Sequence, residues 1–516
     1  MKLTNSAQMR EIDRYVISNT GVSGAVLMAN AARCLAEAAL EHLSVEDCTA
    51  VFCGAGNNGG DGIGAAAYLM SKGVPVRVFL IGDTAKLTSD SLEMLQHLRS
   101  IGGSLEPFIV SVDLVNYVNT CGVVIDAIFG IGLNSELRGD ALLAVEMINA
   151  SPAFKISADI ASGVAADTGA VLGNAICADM TITFSIAKPG HFIEPGCLNR
   201  GELRICDIGI PQDLLDGAVS RVFAVINNEI SLPRRKPDTH KYNYGRCFIA
   251  AGSVAYTGAP VLSSRAALRM GAGLVSLGVP ESAFSAIASK CLEETPFPLP
   301  CDNEGRLSAK AAGELLRRAA NSDVCLIGPG LGTSSDITEI ILSLLKLVST
   351  PLVLDADALT ALAGKTDALK SAVGPVILTP HMGEFARLGG EVLSGDKLSA
   401  ARVFASQYNC TLVLKGHRTI TAMPDGTAYI NTTGGPAMAK GGSGDVLAGM
   451  IAALLGQRFP IKEAVTTAVY LHGLAGDMCA SEYGEYSVVA GDIIDMLPKA
   501  VKSVIEVSVE TSITKR

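Results

Sequence analysis

Two glycine-rich segments carry the residues best suited to chemistry. The stretch GGSGDVLAGMIAALL, starting at Gly441, sets glycines and a serine directly before an apolar helical run. Free backbone N–H groups at a helix start make a hole for a phosphate, and the helix dipole adds about 0.3–1 kcal/mol per charge. Asp445 falls in the first turn of that helix. A carboxylate there repels phosphate, but it can take a proton from a hydroxyl that attacks phosphorus, or orient that hydroxyl. An Asp serving only as a cap needs no glycines ahead of it. No G-x-x-x-x-G-K-[ST] occurs in the chain, which excludes a P-loop NTPase.

The second segment, CGAGNNGGDG, follows a β-branched run and opens a helix. Gly54, Gly56 and Gly59 formally satisfy the dinucleotide fingerprint. The following strand reads VFLIGD, so its acid, Asp83, comes only after a glycine instead of ending the strand where a ribose hydroxyl would be held. Asn57, Asn58 and Asp61 also stand where such loops carry small residues. Asp126 in VVIDAIFG and Asp159 in ISADIASG fall at two further strand ends. A single Asn or Asp at a strand end is ordinary turn chemistry; three such clusters beyond the carboxyl ends of one sheet read as a site. Asn58, Asp126 and Ser162 could hold a hard cation through oxygen, or a carboxylate among them could act as general acid or base.

In the C-terminal half, polar groups end several buried runs: GPGLG at 328–332, LDADAL at 354–359, LTPHMGEF at 378–385 and TLVLKG, which closes on Lys415. His381 is the best placed of the C-terminal histidines; His417 and His472 read as structural or surface residues. Lys440, just ahead of the glycines, is either a phosphate contact or solvated.

These groups need a scaffold. The chain has 516 residues, 49% apolar against 18% charged, with 54 Gly. That composition suits large buried parallel sheets with tight turns and is too apolar for disorder. Short β-branched runs alternating with helical segments predict βαβ units, with strands at 49–53, 76–81, 123–125, 156–158 and 180–184 and a second series at 247–251, 275–279, 324–328, 352–355, 376–379 and 411–414. Residues 1–44 predict two helices, the second Ala-rich and suited either to the core or to an interface between copies. The Pro-containing basic stretch LPRRKPDTHKYNYG divides the series. It is either a linker or the rim of an anionic ligand's entrance. The expected organisation is α/β with two doubly wound domains, 1–225 and 226–516.

The formal net charge of −10 argues against nucleic acid or an anionic membrane surface as partner. Thirteen scattered Cys without a C-x-x-C pair support neither a disulfide framework nor zinc. The polar N-terminus lacks a signal-peptide core, and no uncharged apolar run reaches the roughly 18 residues of a membrane span. A soluble, cytoplasmic protein is expected.

NNGGDG, followed by DAIFGIGL and D-I-x-S-G, resembles the N-terminal domain of NAD(P)H-hydrate epimerases (the YjeF N-terminal family), over about residues 1–220. The resemblance implies a Rossmann-like domain. It implies contacts to the hydrated nicotinamide nucleotide from Asn57, Asn58, Gly59, Gly60, Asp61, Gly130, Ile131, Gly132, Leu133, Asn134, Ser135, Glu136 and Asp159. Potassium would be held by Asn58, Asp126 and Ser162, and proton transfer would fall to Asp159, with Lys188 shaping the site. Ala161 stands where that family has Pro.

GPGLG, DADAL, TPHxGE and GGSGD, in this order over about residues 230–505, resemble the ribokinase-like ADP/ATP-dependent NAD(P)H-hydrate dehydratases. Implied there are nucleotide contacts at Lys415, Gly416, His417, Arg418, Thr419 and Gly444, and hydrate contacts at Ala259, Gly332, His381 and Asp445. Tyr242, Met382 and Lys440 depart from the family pattern.

Together the resemblances imply repair of hydrated NADH and NADPH. Epimerisation of the R and S hydrates is followed by ADP- and Mg²⁺-dependent dehydration of the S hydrate, with Asp445 as base and AMP and phosphate released. A homo-oligomer is compatible with this. A ribokinase-like kinase of a vitamin alcohol, with a non-catalytic N-terminal half, is the rival; it leaves NNGGDG without a purpose.

Overall fold

A computed structural model describes residues 1–217, 219–230 and 232–513. The chain forms two compact units. One comprises Lys2–Val222 with Ser394–Asp396; the other comprises Met1, Phe223–Leu393 and Lys397–Arg516.

The N-terminal unit is built on seven parallel strands: β1 Thr49–Gly54, β2 Val76–Ile81, β3 Leu105–Pro107, β4 Val123–Ala127, β5 Phe154–Ala158, β6 Met180–Phe184 and β7 Glu202–Cys206. Their order is β3-β2-β1-β4-β5-β6-β7, so the chain leaves β1 in one direction and returns to its other side with β4. Every residue of β1 is buried, because helices cover both faces of the sheet. The Ala-rich helix Gly24–Leu40 belongs to that cover, burying Leu27, Met28, Ala31, Ala32, Leu35, Ala36, Ala38 and Ala39.

The C-terminal unit winds in the same way. Its strands are β8 Arg246–Ala250, β9 Leu274–Pro280, β10 Thr295–Leu299, β11 Val324–Ile327, β12 Leu352–Leu354, β13 Val376–Leu378, β14 Thr411–Leu414, β15 Ile420–Ala422 and β16 Ala428–Asn431. They run in the order β10-β9-β8-β11-β12-β13-β14-β15-β16, parallel as far as β14 and antiparallel beyond it. The helix Ser443–Gly456 is apolar all round and buries every residue from Val446 to Gly456, as a helix enclosed by its unit must. Gly449 allows this: a Cβ there would lie 2.0 Å from the Ser263 carbonyl oxygen on the helix Gly258–Arg269.

The NNGGDG segment opens a helix as expected: the helix Asn57–Ser71 begins at its first residue, with Gly56 at the N-cap. The first turn lies so close to β1 that a Cβ on Gly59 would sit 1.8 Å from the Gly54 carbonyl oxygen, which is why glycine stands there. After Gly442 come three long helices, Ser443–Gly456, Ile461–Tyr483 and Ala490–Ile513. The breaks fall before Ile461, with Pro460 at the N-cap, and at Gly484, whose φ is +77°. Strands β3, β7 and β10 had no sequence expectation. β3 and β10 contain Pro, and β7 carries charged residues, so all three lack an apolar run. Among the described residues, no helix is long and apolar enough to cross a membrane.

Candidate functional sites

Beyond the carboxyl ends of β1, β4 and β5 the N-terminal unit holds a cavity of about 710 Å³. Asn57, Asn58, Asp61, Gly130, Ile131, Gly132 and Asp159 line it, with Lys188 and, from the helix Ser6–Asn19, Arg10 and Asp13. Asn134, Ser135 and Glu136 are exposed and lie outside the lining, and Leu133 packs instead against the core under the sheet. Gly59 and Gly60 are buried in the first turn of the helix; a Cβ on Gly60 would press on Met28 and Ser91.

Asp159 follows β5 directly and adopts φ +63°, a left-handed conformation that costs a non-glycine residue about 1–3 kcal/mol. The surroundings over-determine it. Its Oδ1 accepts hydrogen bonds from the Lys188 ammonium and from Thr183 Oγ1 at 3.0 Å, and its carbonyl oxygen meets His191 Nε2 at 2.9 Å. His191 Nδ1 accepts from the Lys188 N–H at 3.1 Å, so Nε2 carries the imidazole proton and donates to Asp159. Burial pushes Asp159 up in pKa, but the Lys188 charge and hydrogen bonds outweigh it and hold the carboxyl below its ordinary value. His191 is driven down to about 3 by burial, and so stays neutral. Asp61 behaves oppositely: burial, then the charges of Asp159 and Asp13, hold it well above the carboxylate range.

Asp126 plays a different part from the other strand-end carboxylates. It is buried beneath the cavity and does not line it. Its Oδ1 accepts from Ser162 Oγ at 2.6 Å and the Ile128 N–H at 3.3 Å; its Oδ2 accepts from Ser157 Oγ at 2.8 Å and the Ser162 N–H at 2.9 Å. Ser162 Oγ in turn accepts from the Phe129 N–H at 2.9 Å. Asp126 thus ties the loops after β4 and β5 together. Asn58 differs: its carboxamide nitrogen is buried without a partner.

In the C-terminal unit three consecutive parallel strand ends converge. Asp355 follows β12, Thr379 and His381 follow β13, and Lys415 follows β14. Lys415 Nζ donates to Asp355 Oδ1 at 2.9 Å and lies 3.9 Å from Glu384 Oε2. Asp355 is itself buried and accepts from Thr379 Oγ1 at 2.7 Å. Burial would lower Lys415, but the charges of Asp355 and Glu384 reverse this and keep it an ammonium. That ammonium sits 3.2 Å from where a Cβ on Gly444 would be, so Lys415 and the glycine-flanked helix start adjoin.

Asp445 is the third residue of this helix, half-buried, and makes no hydrogen bond with a described residue. Burial, then the Asp355 charge, push it up to about 7, with Lys415 opposing. A carboxylate in that state is matched to taking up a proton near neutrality. Gly332 donates its N–H to Asp357 Oδ2 at 2.8 Å, and Ala259 lies 3.1 Å from the Cβ position of Gly330. His381 caps the helix Met382–Arg387, its Nδ1 accepting from the N–H groups of Gly383 at 2.9 Å and Glu384 at 3.3 Å. Gly416 and Thr419 close the turn between β14 and β15 on each other, at 3.0 Å from Thr419 Oγ1 to the Gly416 carbonyl. Arg418 in the same turn has φ +62° and donates to the Thr432 carbonyl. His417 belongs to that turn as well.

Sequence reasoning missed Arg10 and Asp13. The available signal was Asp13 four residues after Met9, a carboxylate on the apolar stripe of its helix. It also missed the pairing of Lys415 with Asp355, which joins segments 60 residues apart. Two open readings are narrowed. Lys440 is exposed and donates to the Tyr486 carbonyl. His472 is buried, driven down to about 4 by that burial, and lies 3.4 Å from Ser443 Oγ behind the glycine turn.

Residues 247–499 match the family model of NAD(P)H-hydrate dehydratase, and residues 24–190 that of the YjeF-related protein N-terminus. The chain is 39% identical to a bifunctional NAD(P)H-hydrate repair enzyme of Moorella thermoacetica, covering 99% of this chain and 98% of the relative. It is 38% identical to the protein of that name from Thermofilum pendens, covering 98% and 97%. The solved structure of an ADP/ATP-dependent NAD(P)H-hydrate dehydratase from Bacillus subtilis, co-crystallised with ATP and Mg²⁺, is 32% identical, with a TM-score of 0.47, covering 55% of this chain and 99% of that one.

Proposed function

The chain belongs to the family of bifunctional NAD(P)H-hydrate repair enzymes, and on that premise we propose how its two units divide the work. The substrate is a reduced nicotinamide nucleotide carrying water across a ring double bond, with a hydroxyl on the ring carbon beside nitrogen.

In the C-terminal unit Asp445 takes the proton of that hydroxyl as its oxygen attacks the terminal phosphorus of ADP. The bond from that phosphorus to the bridging oxygen breaks, and AMP leaves. The amides of Ser443 and Gly444 and the Lys415 ammonium stabilise charge on the phosphoryl group in flight. Phosphate then leaves the ring carbon as the neighbouring carbon loses a proton, restoring NAD(P)H. The observation that carries this reading is the placement of Asp445: unpartnered, held near neutral pKa, in the first turn of a glycine-flanked helix beside Lys415. Ala259, Gly332 and His381 would hold the hydrate, and Lys415, Gly416, His417, Arg418, Thr419 and Gly444 the nucleotide. Mg²⁺ would be carried on the nucleotide phosphates, where it would neutralise their charge.

The N-terminal unit interconverts the two epimers. Asp159 is the proton-transfer group of its cavity, kept charged by Lys188, and Asn57, Asn58 and Asp61 bind the hydrate around it. The oxygen-only set of Asn58, Asp126 and Ser162 suits potassium, and the unpartnered carboxamide of Asn58 leaves that side chain free to turn its oxygen inward. Bound there, the ion would supply fixed positive charge for an anionic nucleotide.

The test is absorbance at 340 nm on a mixture of both hydrate epimers with ADP, Mg²⁺ and K⁺. Full recovery of NADH is expected. Recovery stopping at the initial S fraction would remove the epimerase role, and none with either ADP or ATP would remove the dehydratase.

A further inference from the structure

Inverting a hydroxyl-bearing ring carbon makes two demands on a site. One group must protonate the departing hydroxyl on one face; another must take a proton from water arriving on the opposite face. Asp159 is pinned by Lys188 and Thr183 at one wall of the cavity and can serve only one of these. Asp61 lines the cavity too, but burial and the charges of Asp159 and Asp13 push its carboxyl well up, which disfavours its charged form.

Asp13 has what the second role needs. It lies on the cavity-lining face of the helix Ser6–Asn19, one turn on from Met9, on an element separate from the strand ends that carry Asp159 and Lys188. Its carboxyl makes no hydrogen bond or ion pair with a described residue, so nothing in the unit explains a carboxylate on that apolar stripe. The charged groups around it are Lys188 and Asp159 from the sheet side, Asp61 from the helix Asn57–Ser71, Asp90 on the cavity wall and Arg10 on its own helix. Burial pushes Asp13 up to about 6, with the Lys188 charge opposing and Asp159 adding to the shift. Both its forms are therefore populated near neutral pH.

Resting on the epimerase reading above, we propose that Asp13 is the second proton-transfer residue of the N-terminal site. Its carboxylic acid protonates the hydroxyl on the carbon beside the ring nitrogen. The C–O bond breaks with its electron pair leaving on water, and the nitrogen lone pair forms a C=N⁺ bond. Water then adds to the same carbon from the other face, its proton passing to Asp159. The opposite epimer follows this path in reverse, with Asp159 as acid and Asp13 as base.

The test uses the full-length protein with purified R hydrate in ¹⁸O-water and no ADP, following the S hydrate by chromatography and mass. Wild type should give S hydrate carrying one solvent oxygen, with exchange declining above the Asp13 pKa. Asp13→Asn should lower exchange a hundredfold or more and lose that alkaline decline. Asp13→Glu should restore part of the rate together with the decline. Dehydration of S hydrate with ADP should stay at the wild-type rate in both variants. The proposal is overturned by wild-type exchange in Asp13→Asn, by equal loss in both variants with an unchanged pH profile, or by enzymatic S hydrate without solvent oxygen. No exchange above the spontaneous rate in wild type would instead remove the epimerase reading on which it rests.

Discussion

The two units wind their sheets identically, yet they hold their key carboxylates in opposite states. In each, the chain leaves a central strand, adds two strands on one side and returns to the other. Asp159 stands on a strained residue, buried and locked to Lys188, and its pKa is depressed. Asp445 stands in an unstrained helical turn without a hydrogen bond, and its pKa is raised to about 7. Lysines lie near both. Lys188 donates directly to Asp159, whereas Lys415 is committed to Asp355 and only faces Asp445. Architecture alone therefore does not set the chemistry of a strand-end acid; the partner of the nearest cation does.

The sharpest way to break this contrast is to remove each acid and read both activities. Asp445→Asn should lower ADP-dependent dehydration by about 10²–10⁴-fold and leave epimer exchange intact. Asp159→Asn should do the reverse. Loss of both activities in either variant would show that the two sites are not independent.

Next in size is the Lys188–Asp159 pair. Lys188→Met leaves a buried carboxylate without its counter-charge, which costs about 3–5 kcal/mol when such a pair is broken. Thermal unfolding should show the N-terminal unit melting earlier, and the double variant Lys188→Met/Asp159→Asn should recover part of the loss. Equal destabilisation in single and double variants would mean that Lys188 acts by packing.

The acids also predict opposite pH dependences of stability. Asp159 is depressed in the folded state, so it stabilises above the unfolded carboxylate pKa, and that contribution disappears as pH falls through its folded value. Asp445 is raised, so the folded state binds its proton more tightly and stability declines as pH climbs from about 4 to about 7. Asp445→Asn should therefore stabilise the C-terminal unit at pH 8 by on the order of 2 kcal/mol and have little effect at pH 4. Denaturant titrations at the two pH values measure this. In wild type the dehydration rate should fall on the acid side of about 7, where the base becomes protonated.

The smallest effects concern the close approaches under each site. Gly449→Ala, whose Cβ would meet the Ser263 carbonyl, should cost about 1–3 kcal/mol through overpacking. Gly59→Ala, against the Gly54 carbonyl, should cost a similar amount and also weaken hydrate binding, because it displaces the turn that carries Asn57 and Asn58. Equal dehydration KM in Gly449→Ala and wild type would show that the helix start tolerates the shift.

Much of this was legible in residue order. β-branched runs at 49–54 and 76–81 announced buried parallel strands, since only residues covered on both faces are apolar without alternation. GGSGD announced its helix start because glycine composition there answers a local backbone need. NNGGDG was readable as a site that opens a helix, but the reason for its composition was not. Helix propensity argues against four glycines and asparagines in a first turn, while the close fit of Gly59 on β1 makes them necessary. The rival kinase reading is not favoured, since relatives match over 98–99% of the chain, the N-terminal unit included.

The sequence by itself determined which residue types were available at each strand end and which segments had to be helix or strand, because periodicity and backbone preference are local. Tertiary structure alone decided what those residues became. Asp13 entered the first cavity from another helix, Lys188 was sealed against Asp159, Asp126 was drawn beneath the site into four hydrogen bonds, and Asp355 took Lys415 away from Asp445. A carboxylate's state depends on burial and on charges within a few ångströms, and those neighbours come from remote segments that only folding brings together.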